Sequence, residues 1–559
     1  MKTCPSPEPL STLNLLTRGK SHLLRTLAIL CCLISPAVAD QWEKFTYTDN
    51  GTSITITGYP TTEVGTVEIP EKIPPITGKP VTGIGSYAFS SCNLTSVSIS
   101  GSVTSIGEGA FNECWGLTSI TIPSSVTSIG IGAFSDCWYL KSVMLQSSVI
   151  SIGSSAFEGC SVLTSVTIPS GVTSIGSRAF YGCSSLTSVT IPSSVNNIGT
   201  YAFCNCRKLT NVTIPSSVSS IGGYAFSNCS GLTNVTIEPD VTSIGSYAFS
   251  RCGLTSVTIP SSVASIGSYA FSQCLMLTSV TIEPGVSSIG SSAFADCNSL
   301  SQMVIPGSVT SIGSSAFLRC GGLTSVTIEP GVATSIGSNA FQNCQHLASV
   351  TIPGSVTSIG SFAFTDCGVT SVTIGSGVTS IGGSAFWWCP HLSRATFIGD
   401  APSMGSGVFE AAASGFTVNY FNDKAGFTTA PWSGFSSVNM GASTPFKTWL
   451  LTNGLPYDSN LQADPNGDGV NLLLAYALNL DPLQNLSGKM PQPVFGANQM
   501  SLTFYAGSEG VTYAVESSSD MKAWSTSGVT VSVSDANNFR IATVNMASSL
   551  RFMRLVVAY

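Results

Sequence analysis

The chain has 559 residues, of which 9% are charged and 43% apolar, with 55 glycines and 18 cysteines. That apolar content can bury a large core, so low charge does not mark disorder; hydroxyls and backbone must supply most of the wetted surface. A formal charge of −7 argues against nucleic acid or an anionic membrane as partner.

Residues 1–39 read as an export leader. Lys2, Arg18, Lys20 and Arg25 precede an apolar run from Leu27 to Val38, and Ala37-Val38-Ala39 is a small-x-small cleavage site. Pro36 interrupts the run, which is too short to span a bilayer comfortably. Loss of the leader removes those four basic residues and Glu8, leaving 17 basic and 27 acidic side chains, net −10. No later apolar stretch approaches spanning length. The sequence therefore predicts a mature chain with no transmembrane segment, secreted or held at the cell surface.

From residue 81 the chain repeats. Ile-Gly followed by Ala-Phe marks fourteen units, from Ile84 with Phe89 to Ile381 with Phe386. A cysteine keeps time with them: Cys92, Cys114, Cys137, Cys160, Cys183, Cys206, Cys229, Cys252, Cys274, Cys297, Cys320, Cys344, Cys367 and Cys389. The spacing is 23 residues with slips to 22 or 24, a period that signifies a solenoid. In the unit Leu186 to Cys206, Val189 and Ile191 alternate with Ser188 and Thr190, which is strand periodicity with Val and Ile inward. Pro192 ends the strand, Gly199 is expected to permit a tight bend, and Ala202-Phe203 to Cys206 suits one short helical turn. One such coil cannot bury its own apolar side, whereas fourteen stacked in parallel can.

The pattern L-x-x-V-x-I-P-x-x-V-x-x-I-G-x-x-A-F-x-x-C resembles the BspA-like subclass of leucine-rich repeats, over residues 81–394. "FTYTDNGTSITITGY", within residues 40–80, is similar to its amino-terminal capping hairpin. "FIGDAPSMGSGVF" and "FTVNYFNDKAGFTTAPW", within 395–445, resemble its carboxy-terminal cap. The resemblance implies a bacterial surface or secreted protein, in some members an adhesin for matrix proteins or other cells.

The ladder cysteines are expected as small buried fillers, since in-register neighbours have parallel Cβ vectors that suit disulfides poorly. Cys204 stands where other units place Ser, Glu, Tyr or Thr, and is expected to be exposed and unpaired. No acid/base pair or nucleophile motif points to an enzyme. Glu238, Glu283 and Glu329 replace the strand-ending proline in alternate units and read as solvated turn carboxylates. Two rows offer a binding surface: Tyr201, Tyr224, Tyr247 and Tyr269 before Ala-Phe, and Trp115 with Trp138 after the cysteine. Edge packing that shields the core is the competing reading of both.

Composition changes near residue 445. Residues 446–489 carry helix-like apolar spacing around Asp464, Asn466, Asp468 and Gly469, a D-x-N-x-D-G start of a calcium loop that resembles the EF-hand or dockerin type. The final ligand position holds Ala475 and position nine Leu472. Two readings stay open there: a weak calcium site, or a polar turn entering a helix. No cofactor is required. Residues 490–559 alternate as strands and predict a small antiparallel β-sandwich. The whole is expected to be mainly β: a solenoid, a short helical segment and a sandwich. Its expected role is non-enzymatic binding or adhesion toward an extracellular protein or glycan. The alternative is a structural surface-layer or stalk protein without a specific ligand.

Overall fold

The computed structural model describes residues 40–73, 78–332, 334–427, 432–495, 499–519, 521–533, 538–545 and 552–559. The expected leader lies outside the described residues. Three antiparallel strands, Asp40–Trp42, Phe45–Asp49 and Ile54–Gly58, open the structure, and the third pairs in parallel with Val81–Ile84. Each later unit then adds two strands, a long one such as Asn211–Ile214 and a two-residue one such as Ser220–Ile221. Long strands pair with long strands and short with short, in parallel and in register, as where Val212 faces Val235 and Ile221 faces Ile244. The long-strand ladder is interrupted between Asn234–Ile237 and Ser256–Ile259 and again between Ser279–Ile282 and Gln302–Ile305. Parallel stacking runs on past residue 394 through Arg394–Phe397 and Thr417–Tyr420 to Ser436–Asn439.

The core is a set of ladders. Val and Ile of the long strands point inward, while the alternating Ser and Thr face water. Fifteen phenylalanines, from Phe89 to Phe409, stack ring on ring with centroids 5.0 to 5.5 Å apart. This tracks the rise between adjacent strands, about 4.8 Å, so the repeat period sets the ring contact. Polar groups also form ladders. Thr187 donates both its N–H (3.0 Å) and its Oγ1 hydroxyl (3.1 Å) to the carbonyl of Thr164 one coil earlier.

Two details of the unit differ from the sequence expectation. The Ala-Phe segment is not a helical turn, because Tyr201 and Asn205 on either side of Phe203 both adopt left-handed φ, 60° and 64°. The N–H groups of Tyr201, Phe203 and Asn205 donate forward to the carbonyls of Gly223, Ala225 and Ser227 in the next coil. Those of Ala202, Cys204 and Cys206 close turns onto Gly199, Tyr201 and Phe203 within the same coil. Alternate amides thus serve two coils at once, and none of the six is orphaned. Gly199, moreover, is not a bend residue; it lies outside the left-handed set. A Cβ there would stand 2.5 Å from the Ser177 nitrogen. Its role is close approach between coils.

Beyond the solenoid, helix α1 (Pro445–Thr452) starts at Thr444, whose hydroxyl accepts the Lys447 N–H at 3.2 Å. Its Leu451 packs with Ile398, Phe421 and Met440, which seals the last coils. Helix α2 (Leu472–Ala477) is capped by Asn471. Two antiparallel sheets follow, one of Pro493–Phe495, Gln499–Tyr505, Phe539–Asn545 and Val529–Val533, the other of Thr512–Ser518 and Phe552–Ala558. Leu502, Phe504, Val515 and Ala542 form their shared core with Leu478. Among the described residues, no helix is long and apolar enough to cross a membrane.

Candidate recognition surface

The coil has two sheet faces and a third side made by the Ala-Phe turn. Tyr201, Tyr224, Tyr247 and Tyr269 stand on that third side, all at φ 58° to 60°. Their rings stack face to face with centroids 4.4 to 4.5 Å apart and planes within 13°. Arg178 lies 5.2 Å over the Tyr201 ring and equally over Tyr181, and it pairs with Glu158 at 3.3 Å. The inner ring faces are therefore spent on one another, and the row presents ring edges and a line of phenol hydroxyls. Partial burial pushes the Tyr224 and Tyr247 phenols up. Tyr247 and Tyr201 add to the rise at Tyr224, whereas at Tyr247 the charge of Tyr269 adds to it and the Tyr224 hydrogen bond opposes it.

Trp115 and Trp138 stack at 5.8 Å on the turn that follows the cysteine, each nearly half exposed, with Tyr139 at 62% beside them. The same turn carries Arg207 and Lys208, then Leu275 and Met276. Every basic side chain between residues 142 and 393 falls in the stretch from the Tyr-row position to this turn: Arg178, Arg207, Lys208, Arg251 and Arg319. The outward positions of the long strands, by contrast, keep Ser or Asn followed by Ser or Thr in all but two rungs from Ser96 to Thr373. Departure from the repeat thus gathers along one corner of the rod. Sequence reading picked out the aromatics there but missed the arginines, whose signal is their confinement to one stretch of the repeat, from the Tyr-row position to the turn after the cysteine.

The fourteen ladder cysteines are buried and unoxidised. Each of the thirteen from Cys114 onward donates its thiol hydrogen to the carbonyl of the phenylalanine one coil back, as Cys206 does to Phe180 at 3.2 Å. Burial pushes the Cys114, Cys274 and Cys320 thiols up to about 12, so these are inert at neutral pH. Cys204 corrects the expectation of exposure: it is 6% exposed. Its column points inward, and Ser227, Ser250 and Ser272 in the same column are buried too. Longer members such as Glu158 and Tyr181 emerge by length alone.

The glutamates cap turns. Glu238 accepts the Ser216 N–H at 2.9 Å and Glu283 the Ser261 N–H at 3.0 Å, while Glu329 takes Gly307 at 3.4 Å. In the Asp-rich loop, Asp464 accepts N–H groups from Gly467, Asp468 and Gly469, and Asp468 those of Val470 and Leu486. Asn466 accepts the Asp468 N–H and donates to the Gln484 carbonyl. Ala475 is fully buried on α2. The three residues are tied together, Asp464 and Asn466 both accepting the Asp468 N–H, and backbone amides satisfy much of their hydrogen-bonding capacity.

Parallel coils around a phenylalanine ladder, with most of the variety along one outer corner, define a solenoid of the leucine-rich-repeat class. The chain belongs to the BspA type leucine rich repeat region family, whose model matches residues 82–210, 196–324 and 310–429. A leucine-rich repeat protein from Bacteroides ovatus ATCC 8483 is 28% identical, covers 68% of this chain and 94% of its own, and superposes with a TM-score of 0.56. A leucine rich cell surface protein from Faecalibacterium prausnitzii A2-165 is 29% identical, with 66% and 96% covered and a TM-score of 0.37. A leucine-rich repeat protein from Eubacterium ventriosum ATCC 27560 is 26% identical, with 59% and 94% covered and a TM-score of 0.38. No curated protein matches the chain.

Proposed function

We propose that this chain is an exported or cell-surface recognition protein that binds an extracellular protein or glycan through one corner of its solenoid. The observation that carries the reading is where the repeat breaks its own pattern. A spacer has no reason to collect Trp115, Trp138, the Tyr201–Tyr269 row and every mid-rod arginine in one stretch of the coil while keeping the sheet face nearly uniform. Tyrosine, tryptophan and arginine are the side chains that concentrate binding energy at interfaces. The stacked row favours partners that meet ring edges and hydroxyls, because the inner faces are covered. The reading involves no catalytic step. Calcium is not required by it, and binding at Asp464, Asn466 and Asp468 would be weak for want of an acid at Ala475.

The test presents residues 40–559 to immobilised matrix proteins, glycans and bacterial surfaces. Beside it runs a variant with Tyr201, Tyr224, Tyr247 and Tyr269 changed to Ser, and another with Trp115 and Trp138 changed to Ser. Saturable binding that a folded variant loses supports recognition at this corner. Absence of binding to every surface, with fractionation placing the protein on cells, would make it a stalk.

A further inference from the structure

The corner is not uniform along its length. After most ladder cysteines two residues precede the next core position, as in Cys229-Ser230-Gly231-Leu232 and Cys274-Leu275-Met276-Leu277. At Cys252-Gly253-Leu254 there is one. The shortened turn runs against its neighbour, since a Cβ on Gly253 would stand 2.4 Å from the Ser230 carbonyl oxygen. The result is an open trough of about 610 Å³ that extends from Asn228 to Arg319. The same shortening recurs at Asn93 and Gly368, but there the flanking turns bring no arginine.

The chemistry of the trough is specific. Arg251 donates Nε to Gln273 Oε1 at 2.7 Å, which orients the guanidinium and leaves its terminal N–H groups for a ligand. Arg319 at the far end is paired with Asp296 at 3.3 Å. Arg207 and Lys208 stand two rungs before Arg251, and among the described residues neither they nor Arg251 form an ion pair. Between these charges Leu275 and Met276 are 52% and 60% exposed. A cationic, partly apolar trough on a chain whose net charge is −7 calls for a ligand that brings carboxylates and apolar groups together.

Resting on the corner as the recognition surface, we propose that this trough docks an extended peptide segment of a protein partner, with an acidic side chain on Arg251, an apolar side chain on Leu275 and Met276, and its end reaching Arg207 one rung beyond the trough. Four rungs at about 4.8 Å each accommodate roughly six extended residues. Peptide is favoured over an anionic glycan because no aromatic ring lines the trough, whereas methionine adapts to varied apolar side chains.

The probe is a labelled hexapeptide alternating Asp and Leu, with an Asn/Leu counterpart and dextran sulfate as controls, titrated into residues 40–559. Saturable binding of the Asp/Leu peptide is expected, at least tenfold weaker for the Asn/Leu peptide. The same loss is expected in R251Q, in the double variant R207E/K208E on exposed turns, and in M276S. Equal affinity for the two peptides, or indifference to R251Q and R207E/K208E, overturns the proposal. Tighter binding of dextran sulfate that M276S leaves unchanged also overturns it, in favour of an anionic glycan. If those results come with panel binding that the Tyr variant abolishes, the trough assignment fails and the corner reading stands. If panel binding is absent as well, both fail.

Discussion

Glycines at two phases of the repeat do opposite jobs, and substitution separates them. Gly182 has φ +73°, and a Cβ added there would have its nearest neighbour atoms 3.9 Å away, so Gly182→Ala meets backbone strain alone, about 1 kcal/mol. Gly199 has ordinary φ but lies against the backbone of the preceding coil, with the Ser177 nitrogen 2.5 Å from its added Cβ. Neither coil can yield without disturbing the ladders on both sides, so Gly199→Ala should cost about 3 kcal/mol or more. Urea unfolding midpoints of the two variants decide it. Equal losses would return Gly199 to the role of a bend. The left-handed columns explain why the turn was misread. Tyr201, Arg178 and Phe362 all occupy left-handed φ, and nothing in a tyrosine, arginine or phenylalanine signals it. Gly109, Gly132 and Asn339 in the same column carried the clue.

Among the elements, the phenylalanine ladder and the paired strands were legible because a fixed period forces each side chain to repeat its own environment. The tyrosine stack has a consequence that spacing alone does not reveal. Burial above all raises the Tyr224 and Tyr247 phenols, so the folded state favours the neutral form. An unfolded tyrosine ionises near pH 10. The associated stability is therefore complete below about pH 10 and drains away as pH rises through the raised values. Unfolding midpoints should begin to fall at about pH 8.5, where thiols ionise in the unfolded chain but not in the core, and fall further above about pH 10 as the unfolded tyrosines ionise. Phenolate absorbance should lag behind that of free tyrosine, and a Y224F/Y247F variant should lose part of the decline. The Asp-rich loop was legible as a motif but not in its wiring, because backbone amides leave no trace in the spacing. Asp464→Ala strips the acceptor from three N–H groups and should destabilise the carboxy-terminal unit by about 1 kcal/mol in calcium-free buffer. A melting temperature of the unmodified chain that rises with millimolar calcium would instead assign the loop a cation.

For the whole molecule, stability is distributed along one dimension. Each coil contacts its two neighbours through the same strands, rings and amides, so the rod resembles a sum of nearly equal interfaces rather than a single core. Such a structure tolerates removal of a complete period and nothing smaller. Deleting residues 161–183 joins Cys160 to Ser184, brings Phe157 onto Phe203 and keeps every inward column in phase. The shortened protein should fold with unchanged circular dichroism and a rod about 5 Å shorter by small-angle scattering. Deleting residues 161–171 instead places outward Ser and Thr where Val and Ile belong, and one slipped coil propagates its mismatch to both neighbours. That variant should aggregate or lose its cooperative transition. Were both deletions equally damaging, the coils would be coupled through something longer-ranged than their shared faces.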